Sequence, residues 1–315
     1  MASDNLRQTN LATSEPGATS VDALDVRLIQ LLQVDGRQTS KSLAEQLGTS
    51  PSTVLNRMNA LLRSRVMRIV AVVDPDRVGL LVTAVIGLDV EPGRMSNVIS
   101  QFAAQPEVRF VARSTGPYDL LTFALFRSNA DLSEFIERRI ARMEGIKDTE
   151  TFMCLRATKG RFAQYTPLGT SLEERLIQLL QKDGRQDSES LARQLRVSPS
   201  TVLRRMRDLL GSGMVRIVAV VDLGKVGFPL VTVMGLDVLP SRVCSVVESL
   251  AEVPAVKFVS TTTGRFDVMA FLRFRSNEEL AQFQQRQLST MDGIKDSQTI
   301  LCFDVRKGRY TQNSF

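Results

Sequence analysis

The chain has 315 residues, 43% hydrophobic and 23% charged, an ordinary globular composition with room for two to three domains. Its net charge of +6 suits a polyanionic partner without specifying a fold. Histidine is absent, which removes the commonest general base and metal ligand, and three scattered cysteines (Cys154, Cys244, Cys302) do not form a zinc cluster. No metal or cofactor is expected, and the cysteines read as core thiols in a reducing compartment. No apolar run approaches a membrane span or a signal-peptide core, so a cytoplasmic protein without membrane contact is expected.

Residues 1–20 are rich in Ser, Thr, Asn and Gln and read as a disordered tail. From there the chain carries a stretch that it later repeats. LDVRLIQLLQVDGRQTSKSLAEQLGTSPSTVLNRM from Leu24 returns as LEERLIQLLQKDGRQDSESLARQLRVSPSTVLRRM from Leu172, at a constant offset of 148 residues. Between Leu24 and Asp74, 36 of 51 positions are identical, which makes each copy a whole folded module rather than a solenoid unit.

The first unit, 21–74, opens on a helical period from Val21 to Val34 that Asp35-Gly36 stops. A short helix from Ser40 to Leu47 comes next, with Thr39 as its N-cap. Ser50-Pro51 then starts a third helix to about Ser64, with Val54, Leu55, Met58, Leu61 and Leu62 on one side. Ala44 allows close helix approach, Gly48 suits a left-handed turn and Val54 plugs the core, the spacing of a helix-turn-helix. Such a unit places its last helix in the DNA major groove. Six basic residues between Arg37 and Arg68 face one acidic residue, Glu45. The helix side opposite Val54 presents Ser52, Thr53, Asn56, Asn59 and Arg63 as candidate base-reading residues, while Arg57 on the flank suits a phosphate. The segment RIVAVVD reads as a strand, either a wing or the lead-in to the next domain.

The second unit, 78–160, reads strand (Leu80–Val90), helix (Gly93–Ala104), strand (Val108–Arg113), strand (Tyr118–Phe126), helix (Ala130–Met143), strand (Ile146–Leu155). This βαββαβ order is ferredoxin-like, an antiparallel sheet with both helices on one face. Its open face needs a cover, and a second copy of the same sheet is the obvious one. A linker over 161–170 joins the copies; with one residue on either side it reads GRFAQYTPLGTS, which extends to roughly 40 Å, enough for them to pair with each other, with exchange between chains left open.

The second helix-turn-helix occupies 171–222 and the second βαββαβ domain 226–310. Arg196 replaces the turn glycine, so an altered turn is expected there. The outer face becomes Ser200, Thr201, Arg204 and Arg207, flanked by Arg205. Arg204 and Arg207 stand where copy one has Asn56 and Asn59.

Together, the SPSTVLNRM helix, the connecting strand and a βαββαβ domain with STGPYD before its third strand resemble the Lrp/AsnC family (leucine-responsive regulatory protein and asparagine regulator). The resemblance covers about 21–165 and 169–313. It implies an α+β fold: two tandem copies of a winged helix-turn-helix followed by a ferredoxin-like ligand-sensing RAM domain. It implies double-stranded DNA as partner, self-association through RAM domains, and a small amino-acid-like effector beside the glycine turn. Carried over, the effector positions are Thr115, Gly116, Tyr118 and Asp119, and Thr263, Gly264, Phe266 and Asp267. Turn amides would hold a carboxylate and an aspartate an ammonium; the alternative is that the turn is only structural. The function expected is sequence-specific transcriptional regulation. An architectural, weakly specific DNA-binding protein is the alternative. Some relatives decarboxylate tetrapyrroles at histidine-dependent sites, so without histidine no enzymatic activity is expected.

Overall fold

The computed structural model describes residues 21–160 and 171–308, with the backbone of 310–311. The tail expected over 1–20 and the linker expected over 161–170 lie outside the described residues. Copy one runs α1 (Ala23–Val34), α2 (Ser40–Leu47), α3 (Pro51–Arg63), β1 (Met67–Val73), β2 (Val82–Val90), α4 (Met95–Ala104), β3 (Val108–Ser114), β4 (Leu120–Phe126), α5 (Asn129–Glu134) and β5 (Ile146–Lys159). Copy two repeats it as α6 (Leu172–Lys182), α7 (Ser188–Leu195), α8 (Pro199–Gly211), β6 (Val215–Asp222), β7 (Leu230–Val238), α9 (Val243–Glu252), β8 (Val256–Thr262), β9 (Val268–Phe274), α10 (Asn277–Arg286) and β10 (Ile294–Lys307), and adds a short β11 (Tyr310–Thr311).

Local chemistry sets the helix ends. The Asp22 carboxylate caps the Asp25 N–H, Thr39 caps Ser42, and Ser50 caps Thr53 with Pro51 in the first turn. Gly48 closes α2 at φ 67°, ψ 39°, and Arg196 closes α7 at φ 59°, ψ 46°. The turn expected to be altered in copy two is therefore the same turn, formed by a non-glycine residue at a cost of about 1–2 kcal/mol. After α5 the backbone widens into a π turn over Phe135–Arg139, then a 3-10 turn over Ile140–Arg142. This departs from the expected continuous helix. Phe135 and Ile140 are five residues apart, more than one α turn, yet both are buried. The apolar spacing alone does not set the departure, since Phe283 and Leu288 are buried at the same spacing in copy two, where α10 stays an α-helix.

The connecting strands do not stay within their own modules. β1 and β6 pair antiparallel, with Val70 opposite Val218, its own counterpart, so a pseudo-two-fold axis passes between them. α1 packs on β6 and α6 on β1. One face of this ribbon (Met67, Ile69, Ala71, Val73, Val215, Ile217, Ala219, Val221) joins both helix-turn-helix cores into a single buried cluster. Burying the six larger of these side chains contributes on the order of 10 kcal/mol.

Each βαββαβ sheet has the order β5-β2-β4-β3 or β10-β7-β9-β8, and the two close into an eight-stranded barrel through β3–β10 and β5–β8. Closure removes the sheet edges. The open faces cover each other, sealed by Val85, Phe110, Leu121, Phe152, Val233, Met269 and Ile300 among others. Four rings, Phe110, Phe123, Phe258 and Phe271, stack edge to face between the sheets. Lys159 donates to the Ala251 and Val253 carbonyls at the end of α9, and Lys307 to Gln105 at the end of α4, so each copy caps a helix of the other. The thiols of Cys154 and Cys302 are pushed by burial up to about 12. Cys244 corrects the core-thiol expectation: it is exposed on α9.

Candidate nucleic-acid interface and effector turns

In copy one the recognition helix α3 turns Val54, Met58 and Leu61 inward and leaves Ser52, Asn56, Asn59 and Arg63 exposed, with Thr53 half-buried. In α8 Val202, Met206 and Leu209 are buried, Ser200, Arg204 and Arg207 are exposed and Thr201 is half-buried. The Ser50 hydroxyl lies 2.8 Å from those of Ser52 and Thr53, and Ser198 repeats this with Ser200 and Thr201. These hydroxyls thus organise the helix start. Leu55 corrects its expected core placement. It is 46% exposed, and its counterpart Leu203 is 50% exposed, on the helix flank beside the polar face.

The flanking arginines, expected to hold phosphates, have internal partners. Arg57 bonds Asp22 and lies 3.2 Å from Asp25, and Arg205 lies 2.9 Å from Glu173. Each ties its recognition helix to the start of the module's first helix. Removing Arg57 as Arg57→Gln should therefore leave the salt slope of DNA binding unchanged, where loss of a phosphate contact lowers it by about 1. The Asp25 N–H, and then Arg57, hold the Asp22 carboxyl below its usual 3.8. A lowered folded value gives stability that is present above pH 3.8 and lost as pH falls through the lowered value. Wild type should be more stable than Asp22→Asn at neutral pH, and denaturant melts should converge below about pH 4.

Arg37, counted in the basic excess, and its counterpart Arg185 point at the other module rather than outward. Arg37 donates to the Gly184 and Gln186 carbonyls at 2.8 and 2.7 Å, and Arg185 to Gln38 at 3.0 Å. Burial, then the nearby Arg185, lowers the pKa of the Arg37 guanidinium. The Gly36 N–H donates to Ile217 at 2.7 Å and the Gly184 N–H to Ile69 at 2.8 Å. Lys225 donates to the Ser64 carbonyl beyond α3, and Arg77 to Ser212 beyond α8. Sequence reasoning missed this docking. Its signal was the Asp-Gly-Arg turn common to both copies, which reads as a helix stop and serves also as an interface.

The effector-turn residues form two equivalent loops. Gly116 and Gly264 adopt φ 92° and 100°, and the Thr115 and Thr263 amides donate to Leu301 and Met153 of the opposite copy. Asp119 accepts from the Val90 N–H at 2.9 Å and Asp267 from Val238 at 2.8 Å, so one oxygen of each carboxylate already holds the turn to its sheet. Tyr118 and Phe266 are buried in the inter-sheet core. The Tyr118 hydroxyl donates to Glu150, and burial, then this carboxylate, raises its pKa.

Residues 83–163 and 232–311 match the Lrp/AsnC ligand binding domain, 21–62 the AsnC-type helix-turn-helix domain, and 170–216 a winged helix-turn-helix DNA-binding domain. The chain belongs to the Lrp/AsnC family. Among its Lrp/AsnC-like relatives, an uncharacterised HTH-type transcriptional regulator of Pyrococcus furiosus is 33% identical over 145 residues, 46% of this chain and 98% of that protein. One of Pyrococcus abyssi is 31% identical over 145 residues, 46% of this chain and 92% of that protein. Such relatives correspond to one module; this Lrp/AsnC chain has two. The two-module arrangement is similar to the crystal structure of the siroheme decarboxylase NirDL in complex with an iron-uroporphyrin III analogue. That likeness has a TM-score of 0.63 at 19% identity and covers 92% of this chain and 96% of that one. It is a likeness of fold, and it overturns the expectation of no enzymatic activity. The whole two-module architecture occurs in an enzyme, whereas the exclusion rested on residue content alone. Among the described residues, no helix of this Lrp/AsnC protein is long and apolar enough to cross a membrane.

Proposed function

We propose that this chain is a cytoplasmic, sequence-specific transcriptional regulator in which one polypeptide supplies both DNA-reading heads. The observation that carries this reading is the docking of two recognition helices, exposed on their polar faces, into one unit with a shared core. Arg37, Arg185 and the β1–β6 ribbon join them. In this reading Asn56 and Asn59 contact adenine, Arg204 and Arg207 contact guanine, and Arg63 lies on the same outer face. The exposed flanks of Leu55 and Leu203 suit a thymine methyl in both half-sites. A small amino-acid-like effector would meet the glycine turns at Gly116 and Gly264, beside the Thr115 and Thr263 amides that the opposite copy holds, and association between chains would use further surfaces of the barrel.

The experiment is a selection of bound duplexes from a random pool, repeated with a panel of amino acids and with bulk competitor DNA. An imperfect palindrome that survives competition, with occupancy shifted by one effector, is the expected result. Binding with no preferred sequence would indicate an architectural role instead. The two-module match favours a second reading, tetrapyrrole decarboxylation. An absorbance scan of the protein after incubation with a tetrapyrrole tests it: a retained chromophore supports that reading, and an unchanged protein spectrum counts against it.

A further inference from the structure

Near the pseudo-two-fold axis of the barrel, one guanidinium touches both copies. Arg265 Nη2 donates to Gln298 Oε1, while its Nε lies 3.9 Å from Glu150 Oε1 across the interface. Its Cζ sits 4.7 Å from the Phe266 ring centroid and 5.8 Å from that of Tyr118. The Tyr118 hydroxyl donates to the same Glu150. Phe152 stacks on Phe266 at 5.5 Å and meets Tyr118 edge-on at 6.2 Å.

Every pair of counterparts in this cluster differs between the copies: Pro117 and Arg265, Tyr118 and Phe266, Glu150 and Gln298, Phe152 and Ile300. The frame around them does not. Gly87 matches Gly235, Gly116 matches Gly264, Asp119 matches Asp267, and Thr151 matches Thr299. The differences are also complementary, since copy two brings the cation and copy one the carboxylate.

We infer that this cluster is a pairing code, which lets copy one pair with copy two and penalises pairing of either copy with its own kind. Because one guanidinium reaches both positions 150 and 298, the two sit close together. A pair of copy-one domains would place two carboxylates there with no cation between them, each held only by the neutral Tyr118 hydroxyl of its own copy. A pair of copy-two domains would place two guanidiniums there against two neutral amides. The attraction itself is modest, because Arg265 and Glu150 are partly exposed. Selectivity comes from the repulsion built into the wrong pairs. Its consequence is that chains do not join through like domains, a route to open-ended assemblies. The inference does not rest on the proposed regulatory function.

The test compares four full-length chains. One is wild type. A second, Arg265→Pro with Gln298→Glu, carries the copy-one pattern on both sides. A third, Pro117→Arg with Glu150→Gln, carries the copy-two pattern on both sides. A fourth, with all four substitutions, inverts the code. Thermal midpoints are measured at low and high salt. The like-with-like chains should melt a few degrees below wild type at low salt, and the gap should narrow at high salt. The inverted chain should return close to wild type. If the like-with-like chains match wild type, or their deficit ignores salt, the inference is wrong. It is also wrong if the inverted chain is no better than the poorer of the two.

Discussion

Gly36→Ala and Gly184→Ala should each split the paired heads at the cost of about 1–3 kcal/mol of stability, and together should abolish tight DNA binding. A Cβ at Gly36 would lie 2.8 Å from Ile69 Cγ2, 3.0 Å from the Ile217 oxygen and 3.1 Å from Val218 Cα. At Gly184 it would lie 2.7 Å from Ile217 Cγ2 and 3.2 Å from the Ile69 oxygen. Backbone atoms of a paired ribbon cannot move aside cheaply, and the same glycines donate the N–H bonds that dock the turns. Loss of docking would free the heads to bind half-sites singly, so affinity for a full site should fall toward that for a half-site. Gly211→Ala is the control. Nothing lies within 4 Å of its added Cβ, and it ends a helix, so that variant should be as stable as wild type or up to about 1 kcal/mol more stable. Denaturant melts and titrations of full and half sites measure both effects. Wild-type affinity for the full site in the double variant would show that docking is not needed for reading.

Asn56→Arg with Asn59→Arg should convert the recognition surface of α3 toward that of α8 and make the preferred site more symmetric. Guanine should replace adenine in one half, with each contact discriminating by about 1–3 kcal/mol. Both side chains are exposed on α3 and their counterparts Arg204 and Arg207 are exposed on α8, so the exchange disturbs no packing. The reciprocal change, Arg204→Asn with Arg207→Asn, should enrich adenine in the other half. Sequence selections on both variants decide this. A preferred site that does not change in either variant would mean that these four residues do not face bases.

The helix-turn-helix was legible because its signals are local. Thr39, Ser50 and Pro51 mark helix starts, and apolar spacing marks the buried sides. The βαββαβ order was legible for the same reason. What joins the copies was not. The end of β5, Arg156–Lys159, has only Ala157 as an apolar residue and so little strand signal, yet it extends to pair with β8 of the other copy. Arg37, Arg185, Arg57 and Arg205 look alike in sequence as surface charges. Only the fold shows that the first two hold carbonyls of the opposite module and the last two hold carboxylates of their own. Leu55 shares the apolar pattern of its helix, yet about half of it stays exposed, and Asp119 reads equally as a ligand or a turn clasp until Val90 is seen beside it.

If one chain forms a complete two-headed reader, its stoichiometry on DNA is fixed. Native mass measurement of the full-length chain on a duplex carrying one pair of half-sites, about one helical turn apart or a multiple of it, tests this most directly. One chain for each pair of half-sites is expected, whatever larger assembly forms. Two chains for each pair, each engaging through a single head, would contradict it.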